Sequence, residues 1–177
     1  AVTLNKATSK QFTVNYNTED GTATTADNDF SAKSGSLTFQ GMAGEIKTIS
    51  IQIKGDQKIE ADEWFNVVLN YTGNLVTIPN AEAIGTILDD DNTPANNVIT
   101  LTKISDGQEP ASNARFKVAF PAGITSVDAT VVNYTVGGTA TNGVDYINLL
   151  GSATIPAGAD HAEILVEVTD DQLIESS

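Results

Sequence analysis

The chain has 177 residues, 40% hydrophobic and 18% charged, a globular composition rather than that of a disordered tail. Its 23 acidic against 9 basic residues give a net charge of −14, which argues against partners such as a nucleic-acid backbone or an anionic membrane surface and against direct membrane insertion. The absence of cysteine removes a disulfide framework, a zinc–thiolate site and a thiol nucleophile, and no apolar run approaches the 18 or so residues of a membrane span.

Strand patterns dominate in chain order. Phe12, Val14 and Tyr16 alternate with polar neighbours, as do Ile49, Ile51 and Ile53, then Phe116, Val118 and Phe120, then Val132, Tyr134 and Val136, and finally Ile164, Val166 and Val168. A period of two sets one face on a core and the other in water. Asp20-Gly21, Asp106-Gly107 and Asn142-Gly143 predict tight turns, because glycine tolerates positive φ. No segment shows helical periodicity, so short strands separated by turns predict an all-β chain of antiparallel sandwiches. Trp64 and Phe65 are adjacent in a predicted strand and must face opposite ways, with Phe65 suited to the core.

Two stretches repeat each other. Val14-Asn15-Tyr16, the run 21–24 (Gly-Thr-Ala-Thr) and Asp29-Phe30 return as Val132-Asn133-Tyr134, 138–141 and Asp145-Tyr146. Residues 56–60 are echoed by 171–175. One structural unit is used twice. Alignment of the copies predicts a first unit over 1–91 that lacks its opening strand, a polar linker over 92–97 around Pro94, and a second unit over 98–177 that lacks its last two strands.

The acidic residues cluster at predicted strand ends: Asp89-Asp90-Asp91, Asp170-Asp171, and Glu60, Asp62 and Glu63. A like-charged pair about 4 Å apart costs roughly 4 kcal/mol at an effective dielectric near 20, a penalty that a bound cation removes. The alternative is a solvated face whose aspartates accept backbone N–H bonds and cap loops. His161 is the lone histidine and reads as a surface residue, and neither a nucleophile elbow nor a glycine-rich phosphate loop is present. Two glycosylation sequons, at Asn70 and Asn133, fall within predicted strands and read as parts of the repeated fold.

The order of motifs resembles the Calx-beta domain: Val14-Asn15-Tyr16, Asp20-Gly21-Thr22-Ala23, Asp29-Phe30, Gly35-Ser36-Leu37-Thr38-Phe39, the run 56–65 and the run 87–91. That resemblance implies tandem immunoglobulin-like antiparallel β-sandwiches, the second truncated, with Ca²⁺ held by loops at one end of each. In the first copy the matching ligand positions are Asp29, Asp56, Glu60, Glu63, Asp89, Asp90 and Asp91. In the second they are Glu109, Asp145, Asp170, Asp171 and Glu175. Gly55, Gln57 and Gln172 lower the charge of these sites. The implied role is a non-catalytic, calcium-binding repeat of a large extracellular or cell-surface protein, an adhesin or filament. Its partners would be neighbouring repeats of the same protein and another protein or glycan at a cell surface. The alternatives are a calcium-sensing module of a membrane transporter and an accessory domain of a secreted enzyme.

Overall fold

The structure, a computed structural model, describes residues 1–110 and 112–170. The strands in chain order are β1 (Val2–Leu4), β2 (Phe12–Asp20), β3 (Ser34–Phe39), β4 (Glu45–Lys47), β5 (Lys58–Ile59), β6 (Glu63–Asn70), β7 (Glu82–Ile87), β8 (Thr100–Ser105), β9 (Ala114–Ala119), β10 (Thr125–Ser126), β11 (Thr130–Asn133), β12 (Ser152–Ile155) and β13 (His161–Val166). Among the described residues there is no helix. The chain divides into two compact units, one formed by Ala1–Asp56 and Ala61–Asp89, the other by Gln57–Glu60 and Asp90–Ser177.

In the first unit β2, β3, β6 and β7 form a four-stranded antiparallel sheet in the order β3-β2-β6-β7. A second sheet pairs β1 with β4, Val2 opposite Lys47 and Leu4 opposite Glu45. Period-two alternation sends Leu4, Val14, Leu37 and Phe39 into one buried cluster between the sheets. At the opposite end of the strands Ala23, Phe30 and Phe65 form another cluster, with the Phe30 and Phe65 rings stacked at 4.5 Å. Such a pair adds about 0.5–1.5 kcal/mol beyond its buried area. Phe65 is buried and its neighbour Trp64 is 40% exposed, as strand alternation requires.

The second unit is built from a three-stranded antiparallel sheet, β13-β9-β8, and a two-stranded antiparallel pair, β11-β12. Val118, Phe120, Ile124, Ile155 and Ile164 form its core. Gln57–Glu60 counts with this unit because β5 pairs in parallel with β10, Lys58 opposite Thr125. Ile59 packs against the same core.

Two predicted strands are shorter than their alternation suggested. Around Ile49, Ile51 and Ile53 no regular ladder forms. Ile49 and Ile51 are half-buried against the two clusters of the first unit, and the backbone contacts reduce to a bridge between Phe30 and Ile53 with its flanking bonds. The facing chain at 29–31 has only just left a turn and stays extended too briefly to support a ladder. β11 stops at Asn133, and Val136 is left exposed before Gly137 and Gly138, the latter at φ +138°. The sequon asparagines each end a strand; Asn70 Nδ2 donates to Asn17 Oδ1.

The glycines of the predicted turns serve two purposes. Gly143 has φ +81°, as a tight turn demands. Gly21 does not take positive φ; a Cβ there would collide with the Trp64 carbonyl oxygen and indole ring. Close approach, not backbone freedom, is what requires glycine at that position. Gly21→Ala should therefore destabilise the first unit by about 1–3 kcal/mol through overpacking. Gly55→Ala, where a Cβ meets nothing within 4 Å, should stay within about 0.5 kcal/mol. Denaturant unfolding followed through Trp64, the one tryptophan of the chain, measures both. Equal midpoints would show that the indole yields freely.

Candidate metal centre

The loop between β2 and β3 is closed by carboxylates. Asp29 lies just beyond the run 21–24 and is 5% exposed. Its Oδ2 accepts the Thr24 N–H at 2.7 Å, while its main-chain N–H donates to Thr24 O at 3.1 Å. Its carbonyl accepts the Lys54 N–H at 2.9 Å, beside the Phe30–Ile53 bridge. Asp20 performs a similar task at the end of β2, accepting the Thr25 N–H at 3.1 Å. A short charge-assisted bond of this kind is roughly twice as strong as a neutral one.

The second repeat copies this arrangement. Asp145 Oδ2 accepts the Thr141 N–H at 2.6 Å, its N–H donates to Thr141 O at 3.0 Å, and its carbonyl accepts the Thr169 N–H at 3.0 Å. A Tyr146–Val168 bridge stands where Phe30–Ile53 stands in the first. The loop-capping role that sequence left open for these aspartates is thus real at Asp29 and Asp145, and it leaves the other carboxylate oxygen of each for further work.

Asp29, Glu60 and Glu63 come together: each offers a carboxylate oxygen, and the three oxygens all lie within 4.8 Å of one another. Glu60 directly follows the two-residue β5 and Glu63 opens the eight-residue β6, so strand ends set both side chains. Asp29 is buried, while Glu60 and Glu63 are partly exposed. An all-oxygen, all-anionic donor set next to a backbone-fixed carboxylate fits a hard cation and offers nothing to a soft one.

The remaining predicted ligands are placed differently. Asp56, Asp89, Asp90 and Asp91 are not in this group of three. The Asp89 N–H donates to Asp62 Oδ1 at 3.0 Å, so Asp62 ties the strand end after β7 to the start of β6. Among the described residues Glu109, Asp145 and Asp170 form no such group, and Asp171 and Glu175 lie outside the described residues. Loops do gather at that end of the second unit. Asn113 Oδ1 accepts the Val168 N–H at 3.1 Å, and a Cβ on Gly107 would stand 2.8 Å from the Val168 side chain. The sequence marked Asp62 as part of an acidic cluster and Thr22 as part of a repeated motif without assigning either a bond; Thr22 Oγ1 accepts the Trp64 N–H. Asn113 carried no signal.

His161 is exposed, its Nδ1 2.6 Å from Asp160 Oδ1. The hydrogen bond from His161 holds the Asp160 carboxyl below its ordinary range. Both groups face solvent, as the sequence led one to expect of a surface histidine.

The sequence profile of the Calx-beta domain matches residues 1–91 and again 100–177. The chain belongs to the Calx-beta domain family. Among solved structures, this Calx-beta pair is similar to the calcium binding domain CBD12 of CALX1.1, at 25% identity over 92% of the chain with a TM-score of 0.45. It is also similar to CBD12 from CALX1.2, at 24% identity over 94% of the chain with a TM-score of 0.46. In each case the chain spans 65% of the matched chain's length. No curated protein matches the sequence.

The loop-closing role of Asp29 can be tested without any metal present. Asp29→Ala leaves the part-buried Thr24 N–H unpaired and should cost about 1–3 kcal/mol in chelator, whereas Asp29→Asn keeps an acceptor and should cost under about 1 kcal/mol. Both variants remove the same charge, so their difference isolates the hydrogen bond. Indistinguishable unfolding curves would mean that Asp29 does not hold the loop.

Proposed function

We propose that this Calx-beta chain is a non-catalytic module that binds Ca²⁺ through its first repeat, with Asp29, Glu60 and Glu63 as the carboxylate ligands. The single observation that carries the reading is the approach of those three carboxylate oxygens to within 4.8 Å. Calcium takes six to eight oxygen ligands at about 2.3–2.6 Å, and backbone carbonyls or water complete such a shell. The bound ion would supply charge neutralisation: it offsets the mutual repulsion of the three acids and so couples binding to the closed state of the loop.

In its setting the chain reads as an interaction repeat of a large extracellular or cell-surface protein, an adhesin or filament. It would be flanked by further repeats and would meet another protein or a glycan. Two family repeats in tandem, a charge of −14 and the lack of cysteine support that setting. A calcium-sensing module of a membrane transporter would use the same tandem and the same three acids, and the two differ in affinity. Sensors work at about 10⁻⁷–10⁻⁵ M and extracellular modules at about 10⁻⁴–10⁻³ M.

Calcium at 100 times its dissociation constant should stabilise the first repeat by about 2.7 kcal/mol over chelator. Glu63→Gln should abolish most of that gain while leaving the calcium-free protein unchanged or slightly more stable, since it removes one repelling charge. Magnesium should substitute poorly, because it demands a tighter octahedron and dehydrates reluctantly. Thermal unfolding with each ion checks this, and a midpoint that calcium does not move would sink the reading.

A further inference from the structure

The outer face of the four-stranded sheet carries chemistry that neither the core nor the acidic group uses. β2 and β6 are its inner strands, each paired on both sides, so their composition is not that of an edge. Residues that alternate with the buried Val14, Leu37 and Phe65 point away from the core. On β2, β3 and β6 every such residue is Asn, Ser or Thr except Glu19, Trp64 and Val68. The chain has a net charge of −14, yet these outward positions hold one acid and no base.

Cross-strand register gathers the polar groups into rows. Asn15 stands between Ser36 and Asn70, and Asn17 between Ser34 and Val68. Ser36 Oγ donates to Asn15 Oδ1 at 2.8 Å, Asn70 Nδ2 to Asn17 Oδ1 at 3.0 Å, and Asn17 Nδ2 to Glu19 Oε1 at 3.1 Å. These bonds order the side chains before anything binds, which lowers the entropic cost of binding. Toward one end of the face lies Trp64. Its six-membered ring rests against Gly21, where a Cβ would collide with it, and the residue stays 40% exposed.

Each class of ligand asks something different of a surface. A nucleic acid or an anionic lipid needs basic side chains, and the face has none. A protein partner favours an apolar or arginine-rich centre from which serine is depleted. A neutral oligosaccharide asks for groups that donate and accept at once, as amides and hydroxyls do, and for an aromatic ring against the C–H face of a sugar. We infer that this face binds an extended neutral oligosaccharide, with Trp64 against one sugar ring and the amides of Asn66, Asn15 and Asn70 bonded to hydroxyls further along. The inference rests on the glycan partner proposed above and not on the calcium site. From Trp64 to Asn70 the strand runs about 20 Å at about 3.4 Å per residue, so several rings are engaged in a row.

The test uses the full chain in chelator, cellohexaose as the probe and the emission of Trp64, the one tryptophan, as the readout. A saturable shift to shorter wavelength is expected at sub-millimolar to millimolar cellohexaose, and none with glucose at equal ring concentration. Asn15→Ala lies opposite Asn70, at the far end of the face from the indole. It should weaken binding about fivefold, the factor that corresponds to one hydrogen bond of about 1 kcal/mol, with the unfolding midpoint kept. Only a ligand that spans the face carries that loss to Trp64. Absence of a saturable shift overturns the inference and leaves the calcium reading standing. Unchanged affinity in Asn15→Ala also overturns it, since the glycan would then bind without this face. Equal binding by hexagalacturonate, an acidic oligosaccharide, would overturn the requirement for a neutral ligand and with it the inference.

Discussion

A carboxylate that is buried must be satisfied where it stands, and Asp29 is satisfied by the Thr24 N–H at 2.7 Å. That bond fixes the loop after β2. The next residue, Phe30, is then delivered into the core against Phe65, and the Asp29 carbonyl is delivered to Lys54. One dipeptide joins a polar loop to an apolar cluster, and an Asp29 carboxylate oxygen is held within 4.8 Å of those of Glu60 and Glu63. The acidic group and the hydrophobic end of the first sandwich therefore share one anchor. The second repeat keeps the same anchor in Asp145 and Tyr146.

Trp64 braces this arrangement from the other side. Its carbonyl accepts the Ala23 N–H at 3.0 Å, its N–H donates to Thr22 Oγ1 at 3.0 Å, and its ring lies over Gly21. Since Glu63 precedes Trp64 on β6, the loop that presents Asp29 and the strand that presents Glu63 are stitched together within about one residue of the acidic group.

Much of the fold was legible because alternation and repetition are global signals. The strand through Phe12, Val14 and Tyr16, the burial of Phe65 beside an exposed Trp64, and the all-β class all follow from period-two spacing. Where the pattern depended on a partner, it said less: the isoleucines at 49, 51 and 53 alternate correctly, yet a ladder needs an extended neighbour, and the chain at 29–31 offers one bridge. The acidic group was legible in kind but not in membership. Charge clustering in sequence marked Asp89–Asp91 as strongly as Glu60 and Glu63, because adjacency along a chain does not reveal which carboxylates face the same point. The loop-closing bonds to Asp62 and Asn113 were invisible, since an acceptor 27 or 55 residues from its donor leaves no local signature.

The central claim is that a hard cation sits among Asp29, Glu60 and Glu63, next to Trp64. Terbium, a calcium mimic with the same preference for oxygen, reports this directly when it takes up energy from a nearby indole. Excitation of Trp64 should give sensitised terbium emission that calcium displaces and that Glu63→Gln removes. Emission that is absent, or that survives Glu63→Gln unchanged, would place the cation elsewhere and contradict the account.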